Sequence, residues 1–346
     1  MKMSWGLSLC AFLFAVPAAL AAAPAPTAIT PELTAAAKKE GKLVWYTSIE
    51  LLTAQKLAKA FEDAYPGISV QVERNGAEHN FQRIEQERGS GIHNVDAAEA
   101  SDMGSFILWK RQNWLAPFVP KDVADHWPAA QRDADGMFAT VRFNLSPIVY
   151  NTRMVKAEDA PKSFADLLDP KWSGKLVKAH PGYSGTIMTV TYEMEKNLGW
   201  DYLQKLGKQH IMQVQSGTEP PKKVAQGERP VMVDGGEYLV NQMKASGAPL
   251  EIVYPTEGTP TIPGGAGIFV DAPHPNAAKL FTLFLFSKDG QQIMSDTAWL
   301  RSFHPDVKPH DGVKPLGEIK TWPSDAAAMV DQETDIKKKY AEAFGL

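Results

Sequence analysis

Between residues 43 and 72 the chain alternates in a way that few folds accommodate. Leu43 to Thr47 is an apolar run bounded by Gly41 and by polar residues, the pattern of a strand. Ala54, Leu57, Ala58, Phe61 and Ala64 then recur at helical spacing until Tyr65-Pro66-Gly67 stops them, and Ile68, Val70 and Val72 alternate as a strand does. A strand, helix, strand unit of this kind requires a parallel pair, and parallel sheets covered by helices carry their ligand loops at the carboxyl ends of the strands. Three early loops become candidates: Thr47-Ser48-Ile49-Glu50, Arg74-Asn75-Gly76 and Glu99-Ala100-Ser101-Asp102.

The N-terminus sets the compartment. Lys2 precedes an apolar run from Leu7 to Leu20 that ends in alanines, which predicts an export signal cleaved after Ala21 or Ala23. Leu9 is bulky where a lipid-attachment site at Cys10 wants a small residue, so a soluble periplasmic product is expected. Removing the signal takes the formal charge from -4 to -5 and removes the only cysteine. Disulfides, thiolate metal sites and a cysteine nucleophile are thereby excluded. The remaining chain of about 323 residues suits two cores. Its richest apolar run, Leu280 to Phe286, is far short of a membrane span. The acidic balance argues against nucleic acid, and the single basic triplet, Lys337 to Lys339, reads as a solvated helix face.

The middle of the chain carries a second alternating set. Ile148 to Asn151 is a short buried strand, Ser163 and Asp166 form a capping box, and Asp169-Pro170 ends the brief helix through Leu168. The strand Lys175 to Ala179 then runs through Pro181-Gly182-Tyr183-Ser184-Gly185-Thr186 into an apolar helical segment. Unpaired N–H groups at such a helix start favour an anion, with Ser184 and Thr186 adding hydroxyls; alternatively the two residues only cap the helix. Val231 to Val233 is a strand ending in Asp234-Gly235-Gly236-Glu237, another carboxyl-end loop, before a helix near Tyr238. Two crossings, near Phe143 to Tyr150 and at the Gly/Pro cluster 257–265, divide the chain. The expected organisation is a signal (1–23), a discontinuous first lobe (24–143 with 264–346) and a second lobe (144–263).

VWYTS with its following helix, IVYNTRMV, SFADLLDPKWSGKL and DAPHPNAAKLFTLFLFSKDGQQIM occur in an order that resembles extracellular solute-binding proteins of ABC importers, of the type II periplasmic fold that includes ferric-iron and small-organic-ion binders. The resemblance implies an α/β, two-lobed architecture: two mixed-sheet domains joined by a two-strand hinge, a solute in the cleft, and closure that presents a docking surface to permease subunits. It also implies a monomer with neither covalent chemistry nor a cofactor.

The ferric members carry adjacent tyrosines where this chain has Gly236-Glu237-Tyr238, and arginines where it has Asn144 and Ser146, with Arg142 slightly earlier; ferric iron is therefore the alternative cargo. The expected cleft residues are Tyr46, Thr47, Ser48, Asn75 and Ser101 from the first lobe. The second lobe would contribute Tyr183, Ser184, Gly185, Thr186, Asp234, Glu237 and Tyr238. Such a set suits a small anionic or zwitterionic solute such as a phosphonate, phosphate ester, carboxylate or amino-acid-like compound, an ammonium seeking Asp234 or Glu237 unless these only cap the following helix. A secreted hydrolase is the alternative of another class, but the Gly-x-Ser-x-Gly elbow around Ser184 fails at Thr186. The eight histidines include no i, i+4 pair, so no histidine metal site is predicted.

Overall fold

The computed structural model describes residues 23–346; the export signal, Ala23 apart, lies outside the described residues. The first stretch runs α1 (Pro31–Glu40), β1 (Lys42–Thr47), α2 (Leu51–Ala64), β2 (Ser69–Arg74), α3 (Ala77–Gly89), β3 (Ala97–Glu99), α4 (Gly104–Arg111), β4 (Leu115–Ala116), α5 (Lys121–His126) and β5 (Phe138–Leu145). The middle runs β6 (Ile148–Asn151), β7 (Leu176–Ala179), α6 (Gly185–Leu198), α7 (Trp200–Gly207), β8 (Met212–Val214), α8 (Glu219–Ala225), β9 (Val231–Met232), α9 (Glu237–Ala245) and β10 (Leu250–Val253). The chain ends with β11 (Thr259–Phe269), α10 (Pro275–Phe286), α11 (Lys288–Ala298), β12 (Thr321–Trp322) and α12 (Ala326–Phe344).

The strand, helix, strand unit forms as its periodicity requires. β1 and β2 are parallel, with Lys42 opposite Ser69 through to Thr47 opposite Arg74, and β3 joins the other side of β1 in parallel. The antiparallel strand β11 borders β3 and also pairs with β5, giving one mixed sheet in the order β12-β11-β3-β1-β2 with β4 and β5 on β11. A second mixed sheet has the order β10-β6-β9-β7-β8.

Helices cover both faces of the first sheet. Alternation along β1 therefore buries Trp45 on one side, edge-on to Phe281 at 5.0 Å, and Tyr46 on the other, in the cluster that holds Phe106, Trp109 and Phe269. Each such side chain contributes about 1.5–3 kcal/mol of burial. Around the second sheet Phe164, Leu167, Leu203 and Leu206 make a separate core. The capping box before the 3-10 turn at Ala165–Leu168 is present in both directions: Asp166 N–H donates to Ser163 Oγ, and Ser163 N–H to the Asp166 carboxylate.

β5 and β11 pass side by side between the sheets, Thr261 opposite Leu145 and Pro263 opposite Phe143. A buried carboxylate ties α6 to this crossing: the N–H of Thr261 donates to Glu193 at 2.9 Å, and burial pushes the Glu193 acid up to about 8. The last segment lies across both halves. Trp322 stacks on Phe164, and Tyr340 packs on His180 and over Lys178, while Met329 and Val330 abut Gly104 at the start of α4. No described helix is long and apolar enough to cross a membrane.

Candidate functional site

Because β1, β2, β3, β7, β8 and β9 all end toward the space between the sheets, their following loops line one cleft of about 690 Å³ including its mouth. The first sheet contributes Ser48, Arg74, Gly76 and Ser101, with Arg142 and Asn144 from β5; the second contributes Tyr183 to Thr186, Ser216 to Thr218, Gly236 and Tyr238. The size falls within the usual range for small-molecule sites.

Three helices of eight or more residues start at this cleft. α6 begins at Gly185, with Ser184 Oγ accepting from Ile187 N–H at 3.4 Å. α3 begins after Gly76 without any side-chain cap, which leaves its first N–H groups free for a ligand, whereas at the start of α9, after Gly236, the Tyr238 N–H donates to Asn144 Oδ1 at 3.3 Å.

Charge follows the same direction. Arg142 lies across β11 where Gly264 has no Cβ; an added one would stand 2.9 Å from Arg142 Cγ. Its Nε meets Glu99 Oε1 at 2.6 Å and its Nη2 donates to Ser48 Oγ at 2.8 Å. The other Glu99 oxygen accepts from Thr47 Oγ1, Ser48 N–H and Ile49 N–H, so this buried carboxylate shapes the loop after β1 and holds the guanidinium in place. Arg74 donates to the Ile49 carbonyl and has no carboxylate partner among the described residues. Among the described residues, two arginines and no carboxylate line the cleft.

Of the residues expected from the sequence, Ser48, Ser101, Tyr183, Ser184, Gly185, Thr186 and Tyr238 line this space, with Tyr183 59 % exposed at its mouth. Five others do not. Tyr46 is buried because both faces of its sheet are covered, and its hydroxyl donates to Glu87 at 2.8 Å. Thr47 is turned inward onto Glu99, and Asn75 stands beside the cleft residues Arg74 and Gly76 without entering.

Asp234 is fully buried against Lys178 at 2.6 Å. Glu237 is held by both forks of Arg301 and by the Tyr254 hydroxyl. These two carboxylates satisfy internal cations, since a lone buried charge is costly, and they are not available to a solute ammonium. Tyr238 is a single phenol whose ionisation burial pushes up, unlike a paired phenolate site. Arg74, Arg142, Asn144 and the Ser216 to Thr218 loop also line the cleft but are not among the expected cleft residues, although Arg74 belongs to a candidate loop; the available signal for Arg142 was an arginine inside the apolar run of β5.

At Gly185 the second half approaches Asp102 of the first with no room for a side chain. A Cβ there would come within 2.1 Å of Asp102 Oδ2, whose other oxygen accepts from Ser105 N–H; burial, helped by Glu333 and Glu78, pushes this acid up to about 6. Alanine suits the first turn of a helix, so Gly185→Ala should leave the melting temperature of the unliganded protein almost unchanged. It should nevertheless weaken solute binding at least about tenfold by holding the lobes apart, a differential effect on the closed state. The second change Asp102→Gly should restore affinity, and calorimetric titration of the three proteins checks both statements.

This is the architecture of a periplasmic substrate-binding protein, and residues 105–313 match the bacterial extracellular solute-binding proteins, the family to which the chain belongs. Its members are transport proteins that carry solutes, not enzymes, and Ser184 here serves as a helix cap. Among solved structures, the chain is similar to the periplasmic binding protein AfuA of Actinobacillus pleuropneumoniae with fructose-6-phosphate bound. The TM-score is 0.81 at 26 % identity, covering 88 % of this chain and 99 % of that one. Iron-bound HitA of Pseudomonas aeruginosa shares the fold, with a TM-score of 0.77 at 21 % identity over 86 % and 99 % of the two chains. A Salmonella typhimurium protein named provisionally as a 2-aminoethylphosphonate-binding periplasmic protein is 27 % identical over 190 residues, 52 % of this chain and 55 % of that one.

Proposed function

We propose that this protein captures a small organic phosphate ester or phosphonate in the periplasm and delivers it to the permease of an ABC importer. The observation that carries the reading is the cleft charge: Arg74, Arg142 and the uncapped start of α3 face a space lined by no carboxylate among the described residues. Guanidinium forks and helix N-termini are the two groups best matched to a phosphoryl dianion. The sugar phosphate in AfuA and the phosphonate in the name of the Salmonella relative are consistent with that class. Ser48, Ser101, Asn144 and Thr186 offer neutral groups for hydroxyls on the organic part, and Tyr183 an exposed ring at the mouth. Contacts from both lobes favour the closed state over the open one, which is how binding is converted into a signal for hand-over.

Calorimetric titration with fructose-6-phosphate, 2-aminoethylphosphonate, inorganic phosphate, ferric citrate and neutral fructose tests the reading. A phosphorylated or phosphonate probe should bind and fructose should not. Binding of ferric citrate alone, or of fructose as tightly as its phosphate, would overturn it.

A further inference from the structure

The fold assembles a group that spacing along the chain hides. Asp122 and His126 lie one turn apart on α5, and the loop after α11 brings His304 against them; the ligand atoms of all three lie within 4.8 Å of one another. The two imidazole rings are 4.9 Å apart between centroids. Lys121 is occupied by Asp125, and Arg132 by the carbonyls of Val123 and Ala124, so the neighbouring charges are already matched to other partners. The side chains of Asp122 and His126 make no hydrogen bond or ion pair among the described residues, which leaves two Lewis bases with free lone pairs facing a third.

We infer that Asp122, His126 and His304 form a binding site for a divalent metal ion of the zinc class, separate from the solute cleft, which none of the three lines. Two imidazoles and one carboxylate are a recognised zinc donor set, with water completing a tetrahedron. Ligand atoms bound at 2.0–2.1 Å in that geometry stand about 3.4 Å apart, so the group must draw in by up to about 1.4 Å. His126 is exposed and His304 buried, an arrangement that gives the ion an entry path and leaves its water side open.

One local contact changes on loading. The Asp306 N–H now donates to His304 Nδ1 at 3.2 Å, and metal at Nε2 would put the ring proton on Nδ1. The 304–306 turn therefore shifts as the ion enters, and that rearrangement makes binding weaker than at a preformed structural zinc site. The ion would pin α5 to the loop after α11.

The test is calorimetric titration of the tag-free, chelator-stripped full chain with zinc chloride, together with its melting temperature. One equivalent should bind, and zinc should raise the melting temperature. His126→Ala and Asp122→Asn, which remove no existing hydrogen bond, should melt like wild type without zinc and bind it at least about tenfold more weakly. Absence of saturable binding overturns the site. So does binding that survives both substitutions, because the remaining histidines would then be responsible. Neither result bears on the cleft, which is titrated with its own probes.

Discussion

Arg142→Met is expected to weaken binding of a phosphorylated or phosphonate probe at least 100-fold, about 3 kcal/mol, with the calorimetric titration as readout. The effect has two sources. The substitution removes the one cleft guanidinium that is held in place by a buried acceptor, and it leaves Glu99 as an unpaired carboxylate beside the anion site. The same unpaired charge lowers stability, so a second variant separates the two consequences. Arg142→Met with Glu99→Gln should recover much of the melting temperature while binding stays weak. Arg142→Lys keeps the charge but loses the fork, and intermediate affinity is expected. Full affinity in Arg142→Met would remove the basis of the proposed function.

The parts of this architecture that sequence conveys well are those set by local periodicity. The β1-α2-β2 unit could be read because its apolar residues recur at helical and strand spacing, and once β1 and β2 were known to be parallel the loops at Ser48 and Gly76 had to face the same way. The same reasoning placed Ser184 to Thr186 at a helix start. The errors came where a side chain could turn either of two ways. Asp234 and Glu237 sit on a carboxyl-end loop that does border the cleft, and what turns them inward is a cation far away in the chain: Lys178 on β7 for one, Arg301 after α11 for the other.

Tyr46 was misplaced for a related reason. Alternation puts Trp45 and Tyr46 on opposite faces, but only the packing of α3 and α4 reveals that the second face is also a core. Arg142 is legible only in part: an arginine in the run Thr140 to Leu145 requires an acidic partner once buried, but that Glu99 of another strand supplies it beside the cleft depends on the tertiary fold. The histidine group shows the same limit. Asp122 and His126 have a helical spacing, but nothing in the sequence joins them to His304.

Lys178→Met is expected to lower stability by about 3–5 kcal/mol, seen as a fall of roughly 5–10 °C in melting temperature. Lys178 and Asp234 are both completely buried, and burial pushes the lysine down and the acid up, each toward its neutral form, while their 2.6 Å contact opposes both shifts. Removing one partner leaves the other with desolvation and no compensation.

The pair also has a positional role. Asp234 accepts from the Ala179 N–H and directly precedes Gly235 and Gly236, so it joins the end of β7 to the loop that starts α9 at the cleft. The single substitution should therefore weaken solute binding as well as stability, even though neither charge touches the cleft. Lys178→Met with Asp234→Leu should regain most of the melting temperature, since a well-packed apolar pair is often as stable as a buried ion pair. If the double variant melts as low as the single one, the loss is one of shape at that site and not of charge compensation. If Lys178→Met melts like wild type, the pair is not the constraint that holds the β7 and β9 loops together.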